Sequence, residues 1–356
     1  MAIVHTYDQL MALAPTKAEH ALIDACKTGD ACHLGSTCPT EPTPQTEIRA
    51  DILRYLILGG CADLELHDNG VWLVGAYVTG DFDVSFATAR GPTVIINCRF
   101  DARIDSVQTQ FELVQFSDSH LVGWRAQGAQ IKGPVLLRRM TSEAAIDLNG
   151  TDIGGQLVCE AARLTSTDGY ALTAQTATIR GGVVLHPKVK PNEDTTGPAF
   201  QANGGIKLTG SRIELLYGET ITLTASGGHD ALSANNLTVT GDVRLGGCHA
   251  VGEVKFSGAR IEGALDCEKA QFHNEHGHAF NGQRMKVDQA FIWKKVANGT
   301  GAVSLNGAHV GELEDDPTNW PKAAALYLDG FTYDRISGKV STSPDRMNWL
   351  NNGSYF

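Results

Sequence analysis

Apolar residues recur along most of the chain on one template: small-x-φ-x-Gly-x-φ-x-φ, where φ is apolar. Clear copies are AYVTGDFDV from Ala76, AQIKGPVLL from Ala129, TDIGGQLVC from Thr151, ATIRGGVVL from Ala177 and ARIEGALDC from Ala259. Weaker copies are LTVTGDVRL, ending at Leu245, and the segments around Ile213, Met285 and Val310. Alternation with period two places one face of a strand inward. The spacing is 22 residues from Gly133 to Gly155, 26 from Gly155 to Gly181 and 22 from Gly241 to Gly263. Ile261 to Met285 is 24 and Met285 to Val310 is 25. One turn of a β-solenoid, with two or three short strands and their corners, fits such a period. A βαβ unit needs ~30 residues or more, and a propeller blade ~40–50.

Stacking the copies predicts three columns. One reads Val78, Ile131, Ile153, Ile179, Ile213, Val239, Ile261, Met285, Val310, and a second Val84, Leu137, Cys159, Leu185, Leu245, Cys267. A third holds small residues: Ala76, Ala129, Thr151, Ala177, Ser211, Ala259, Ala308. Glycine often precedes the small position, at Gly75, Gly128, Gly150, Gly210, Gly258 and Gly307, which suits tight corners. Residues 85–127 repeat poorly, and coils are placed there by continuity. The expected fold is all-β: a right-handed parallel β-helix with coils of about 22–26 residues. The Pro- and charge-rich stretch HPKVKPNEDTTGP between Ile179 and Ile213 reads as a corner loop.

An open solenoid end recruits other strands, so the ends should be covered. Residues 1–62 read as an N-terminal helical cap, 63–340 as the β-helix, and 341–356 as a short helix, near Pro344 to Leu350, and tail. Thr16-Lys17-Ala18-Glu19 is a capping box that opens a helix through Cys26. Thr43-Pro44 is expected to open a second helix, with Ile48, Ile52, Leu53 and Leu56 as its apolar stripe and Gly59-Gly60 as its stop.

Composition narrows the partners. Of 356 residues, 42% are hydrophobic and 19% charged, which supports a long core. A net charge of −11 disfavours nucleic acid and anionic membrane surfaces. No run of about 18 apolar residues exists, so membrane insertion by this chain is not expected. The first residues carry no basic-then-apolar signal, so a cytoplasmic location is the expectation. In that setting the 8 Cys read as reduced thiols.

Residues with chemical potential are scattered. Cys159 and Cys267 fall in a column of Val and Leu and read as core filling. Cys26, Cys32, Cys38 and Cys61, with His20 and His33 nearby, lack the usual pairwise spacing of a zinc site. His273, His276 and His278 lie close in sequence, in a segment that reads as a corner loop. Asp81 with Asp83, and Asp266 with Glu268, share outward faces but sit many coils apart. No Gly-rich dinucleotide fingerprint and no C-x-x-C pair is present. No catalytic residue, metal or cofactor is therefore expected. Five positions after the inward ladder residue lie Leu136, Val158 and Val184, an outward apolar strip that reads either as covered by the loop around Pro191 or as a partner-binding surface.

Four segments carry a family resemblance: TEIRADILRYLILGG, VWLVGAYVTGDFDV, the GARIEGALDC copies, and ALYLDGFTYDRI with RMNWL behind it. Together they resemble a large group of bacterial β-helix proteins often labelled membrane-associated oxidoreductases. The resemblance covers most of the chain. It implies the β-helix fold, a redox activity, and longer forms that continue past the WL segment into helices and a membrane anchor, at the inner face of the membrane. The residues themselves favour a non-enzymatic scaffold or interaction module with an unknown protein partner, and end-to-end self-association through exposed end coils. The alternatives are a carbohydrate-active β-helix enzyme and the redox protein that the resemblance implies.

Overall fold

The computed structural model describes residues 4–186, 199–297, 299–321 and 325–338. The chain is all-β, a right-handed parallel β-helix with a small N-terminal helical part. It divides into two compact units, Met1–Leu164 and Thr165–Phe356. The loop expected at 187–198 and the helix expected near Pro344–Leu350 fall outside the described residues.

In the first unit the coils from Gln110 onward carry four short strands rather than two or three. One coil runs Gln130–Ile131, Val135–Leu136, Thr141–Ser142 and Ile146–Asp147 before the next begins at Asp152–Ile153. Every strand pairs in parallel with its counterpart one coil away. Side one aligns Phe111, Ile131 and Ile153; side two aligns Thr93, Val114, Val135 and Leu157. Side three aligns Ile48, Val78 and Phe100, then Leu121, Ser142 and Leu164; side four aligns Phe82, Ile104, Trp124 and Ile146. Each side points two residues inward around one outward residue, as in Val135, Leu136 and Leu137. Two corner residues follow, so the true step is about five residues.

Two kinds of corner explain the glycines. Gly150 adopts φ +67° at the corner before side one, a conformation that costs other residues a clash at Cβ. Gly263 has a different reason: a Cβ there would lie 2.4 Å from the Gly241 carbonyl of the coil below. Left-handed corners also accept Asn and Asp, whose short side chains tolerate that region. Asn97 and Asp118 stack at one such corner, and Arg139 and Ala161 continue the column.

The second unit repeats the same four sides. Ile179, Ile213, Val239 and Ile261 stand in register on side one. Its later coils lengthen. Lys286–Trp293 pairs with both Arg260–Ile261 and Leu265–Asp266, so sides one and two fuse into one bent strand. His309–Asp315 and Thr332–Gly338 extend this bent sheet. Phe280, Phe291, Trp293 and Trp320 fill the core beneath, with the last two rings stacked 5.0 Å apart.

Four expected column members move. Val78 and Ala76 belong to side three and Val84 to side four, because the AYVTGDFDV copy spans sides three and four while AQIKGPVLL spans sides one and two. Met285 stacks on Ala259 in the small column, and Val287 takes the place beside Ile261.

The N-terminal helices close the first coil. α1 (Tyr7–Ala12), whose Thr6-x-x-Gln9 signal was passed over, and α2 (Lys17–Thr28) both begin with capping boxes. α3 is Ala50–Ile57, shorter than expected: Glu47–Arg49 is a strand paired with Tyr77–Thr79, and Ile48 belongs to it. Leu22, Ile23, Ile52, Leu53 and Leu56 are buried. Glu19 joins the parts. Its carboxylate accepts from the Thr16 N–H at 2.8 Å, from the Arg49 N–H at 3.0 Å and from Arg49 Nε at 2.8 Å. Burial would raise its pKa, but these hydrogen bonds and the Arg49 charge outweigh it and hold it below the ordinary value.

Candidate functional site

The residues with chemical potential are locked or dispersed. All eight cysteines are free thiols. Cys159 stacks on Leu137 inside the first unit, and Cys267 on Leu245 in the second, as core residues. Burial pushes the Cys159, Cys98 and Cys248 thiols up to about 12, and Cys267 well above its usual value. In the cap, burial raises Cys26 to about 12 and Cys32 to about 11, and it also raises Cys38. Cys61 differs. The Tyr55 hydroxyl donates to its sulfur at 3.0 Å and lowers its pKa. A thiolate is the reactive form, and Cys61 is the described thiol whose surroundings lower its pKa rather than raise it.

Among the described residues, no three His, Cys, Asp or Glu side chains gather as a metal site. The three candidate histidines separate as the chain turns. His273 lies beside the His249 ring at 5.4 Å, His278 beside Tyr327 at 5.7 Å, and His276 is exposed on the turn between them. The candidate carboxylates cap their own turns: Asp83 accepts from the Ser85 N–H and Asp266 from the Glu268 N–H, both at 2.8 Å. Glu268 pairs with Lys295 at 3.0 Å.

The outward apolar strip extends further in the first unit than sequence reasoning reached. On side two, Trp72, Val94, Gln115, Leu136 and Val158 lie in one outward column. Four steps of ~4.8 Å make it about 19 Å long. Trp72 is 42% exposed, whereas Val158 is 2% exposed although its position faces outward. Ion pairs Arg138–Glu160 (3.1 Å) and Arg139–Asp118 (2.6 Å) stand at the adjoining corner. Trp72 was missed because the template copy in its coil lies on sides three and four, and Val94 because its coil lacks the template. In the second unit, Val184 aligns with Tyr217 and Arg244, and the Arg244 guanidinium sits 5.6 Å from the Tyr217 ring centre.

The second apolar surface is the last described coil. Tyr333 sits in register with Val310, and Ile336 with Leu313, so both occupy inward positions. Val310 and Leu313 are fully buried, yet Tyr333 is 39% and Ile336 38% exposed. Thr332, Asp334 and Arg335 are exposed as well. Thr332–Gly338 pairs with His309–Asp315, and no other described strand pairs with its second edge. A further exposed aromatic, Phe86, is 74% exposed with φ +61° at a corner of the first unit.

Comparison with models of known families, with curated proteins and with solved structures finds no match. No described helix is long and apolar enough to cross a membrane.

Proposed function

We propose that the chain is a non-enzymatic interaction module, a regular scaffold that presents apolar surface to a protein partner. One observation carries this reading: core-register side chains Tyr333 and Ile336 lie exposed on an open strand edge. An edge of unpaired N–H and C=O groups is a template for another strand, and aromatic residues are enriched where proteins meet. On side two, the exposed Trp72 and the half-buried Leu136 support the same reading, with ion pairs at the strip's margin like a polar rim. The core thiols, pushed far above neutral pH by burial, do not favour redox work at those positions. A peptide that adds as a strand would protect from hydrogen exchange those Thr332–Gly338 amides that point away from His309–Asp315. If those amides are already slow to exchange in the isolated chain at low concentration, the open-edge reading fails.

A further inference from the structure

The partner that best fits the open edge is a second copy of this chain. Thr332–Gly338 runs along sides one and two, with Asp334 and Arg335 at the bend between them. A two-fold axis through that bend swaps side one for side two and reverses the strand. Antiparallel pairing about it places Asp334 opposite Arg335 of the other copy, twice. The same register sets Tyr333 opposite Ile336 and Thr332 opposite Ser337. Both exposed core-register side chains thus meet an apolar partner, and both charges at the bend meet their opposites. Opposed charges and aromatic–aliphatic pairs are what stabilise adjacent strands. A shift of the axis by half a residue, onto Arg335, would instead stack like charges. Head-to-tail growth is closed off, because α2 and α3 pack on Glu47–Arg49 at the first coil.

We infer that two copies join through antiparallel Thr332–Gly338 strands about an axis between Asp334 and Arg335, closing the core that each leaves open. This rests on the open-edge reading above. Both charges also have own-chain partners, Arg335 with Glu312 at 2.8 Å and Asp334 with His309 at 3.7 Å, and both keep them in the pair.

Sedimentation of the full chain between about 1 and 100 µM tests it. A concentration-dependent dimer is expected. Asp334→Arg, which spares the Arg335–Glu312 pair, sets like charges opposite each other and should weaken the dimer at least about thirtyfold. Adding Arg335→Asp swaps the charges and should recover most of that loss, with thermal melts confirming that each variant is folded. A dimer indifferent to Asp334→Arg overturns the proposal. A monomer at 100 µM whose Thr332–Gly338 amides exchange fast overturns the self-pairing but leaves the open edge standing. A monomer with those amides protected shows that the chain covers its own edge, and overturns both.

Discussion

The first coil and the last described coil are built from the same inward aliphatic ladder and end differently. At the first, Ile48 on Glu47–Arg49 is buried under α2 and α3, and the Glu19–Arg49 contacts hold the helices to the strand. At the last, inward positions on sides one and two hold Tyr333 and Ile336, more than a third exposed. A solenoid buries each coil with its neighbours, so a terminal coil needs a cover of another kind. Helices supply one here. The other end presents a bent strand whose residues complement a reversed copy of itself.

Chemical labelling gives the largest expected contrast. Cys32 lies on the covered coil beside Leu73, with its thiol raised to about 11. An Ile336→Cys thiol on the open strand should keep an ordinary pKa of about 8.5. At pH 8, alkylation of the introduced thiol should outrun Cys32 by about a few hundredfold, from the ionised fractions alone. Mass spectrometry of the labelled peptides reads this, and comparable rates would erase the contrast. Cys61 should be the first native thiol to react. Labelling of the introduced thiol should slow as protein concentration rises, if copies pair.

Removing one partner of the buried link should cost less than that but still unsettle the cap. Glu19→Gln should lower stability by about 3 kcal/mol, since it leaves Arg49 and its neighbours without their carboxylate. Denaturant unfolding measures it. The sign with pH follows from the lowered folded pKa. The contribution is complete above the ordinary value of 4.5, and it drains away as pH falls through the lower folded value. A wild-type stability unchanged relative to Glu19→Gln across that acid range would remove Glu19 from the account.

The side-two strip gives an intermediate case. Val158→Lys should cost about 2 kcal/mol, because its position is already buried. A variant as stable as the parent would mean the position is wet and available to a partner. Least of all, Ile336→Ala should cost under about 1 kcal/mol in the monomer, as befits a half-covered side chain. A loss of 3 kcal/mol there would show that the last coil is as closed as the first.

The parallel stack was legible because inward aliphatics repeat once per coil, and Thr16 with Glu19 marked α2 in advance. What failed is informative. All four sides use the same in-out-in pattern, so the Ala76 copy could be laid on the wrong sides without breaking the alternation. A two-residue slip at Met285 also keeps the period, and only the pairing of Ile261 with Val287 exposes it. Ile48 matched a helical stripe with Ile52 and Leu56, yet pairing with Val78 drew it into a strand. The Ala76 copy lies on sides three and four and the coil through Val94 lacks the template, which hid Trp72 and Val94 of the outward strip. The open edge was foreseen only as a general liability of solenoids. Its self-complementary charges became visible once Asp334 and Arg335 were placed at a bend.

Amide hydrogen exchange at about 1 µM tests the contrast between the two coils most directly. Slow exchange is expected across Glu47–Arg49, and fast exchange at the Thr332–Gly338 amides that point away from His309–Asp315, slowing at 100 µM. Equal protection of the two strands at low concentration would contradict it.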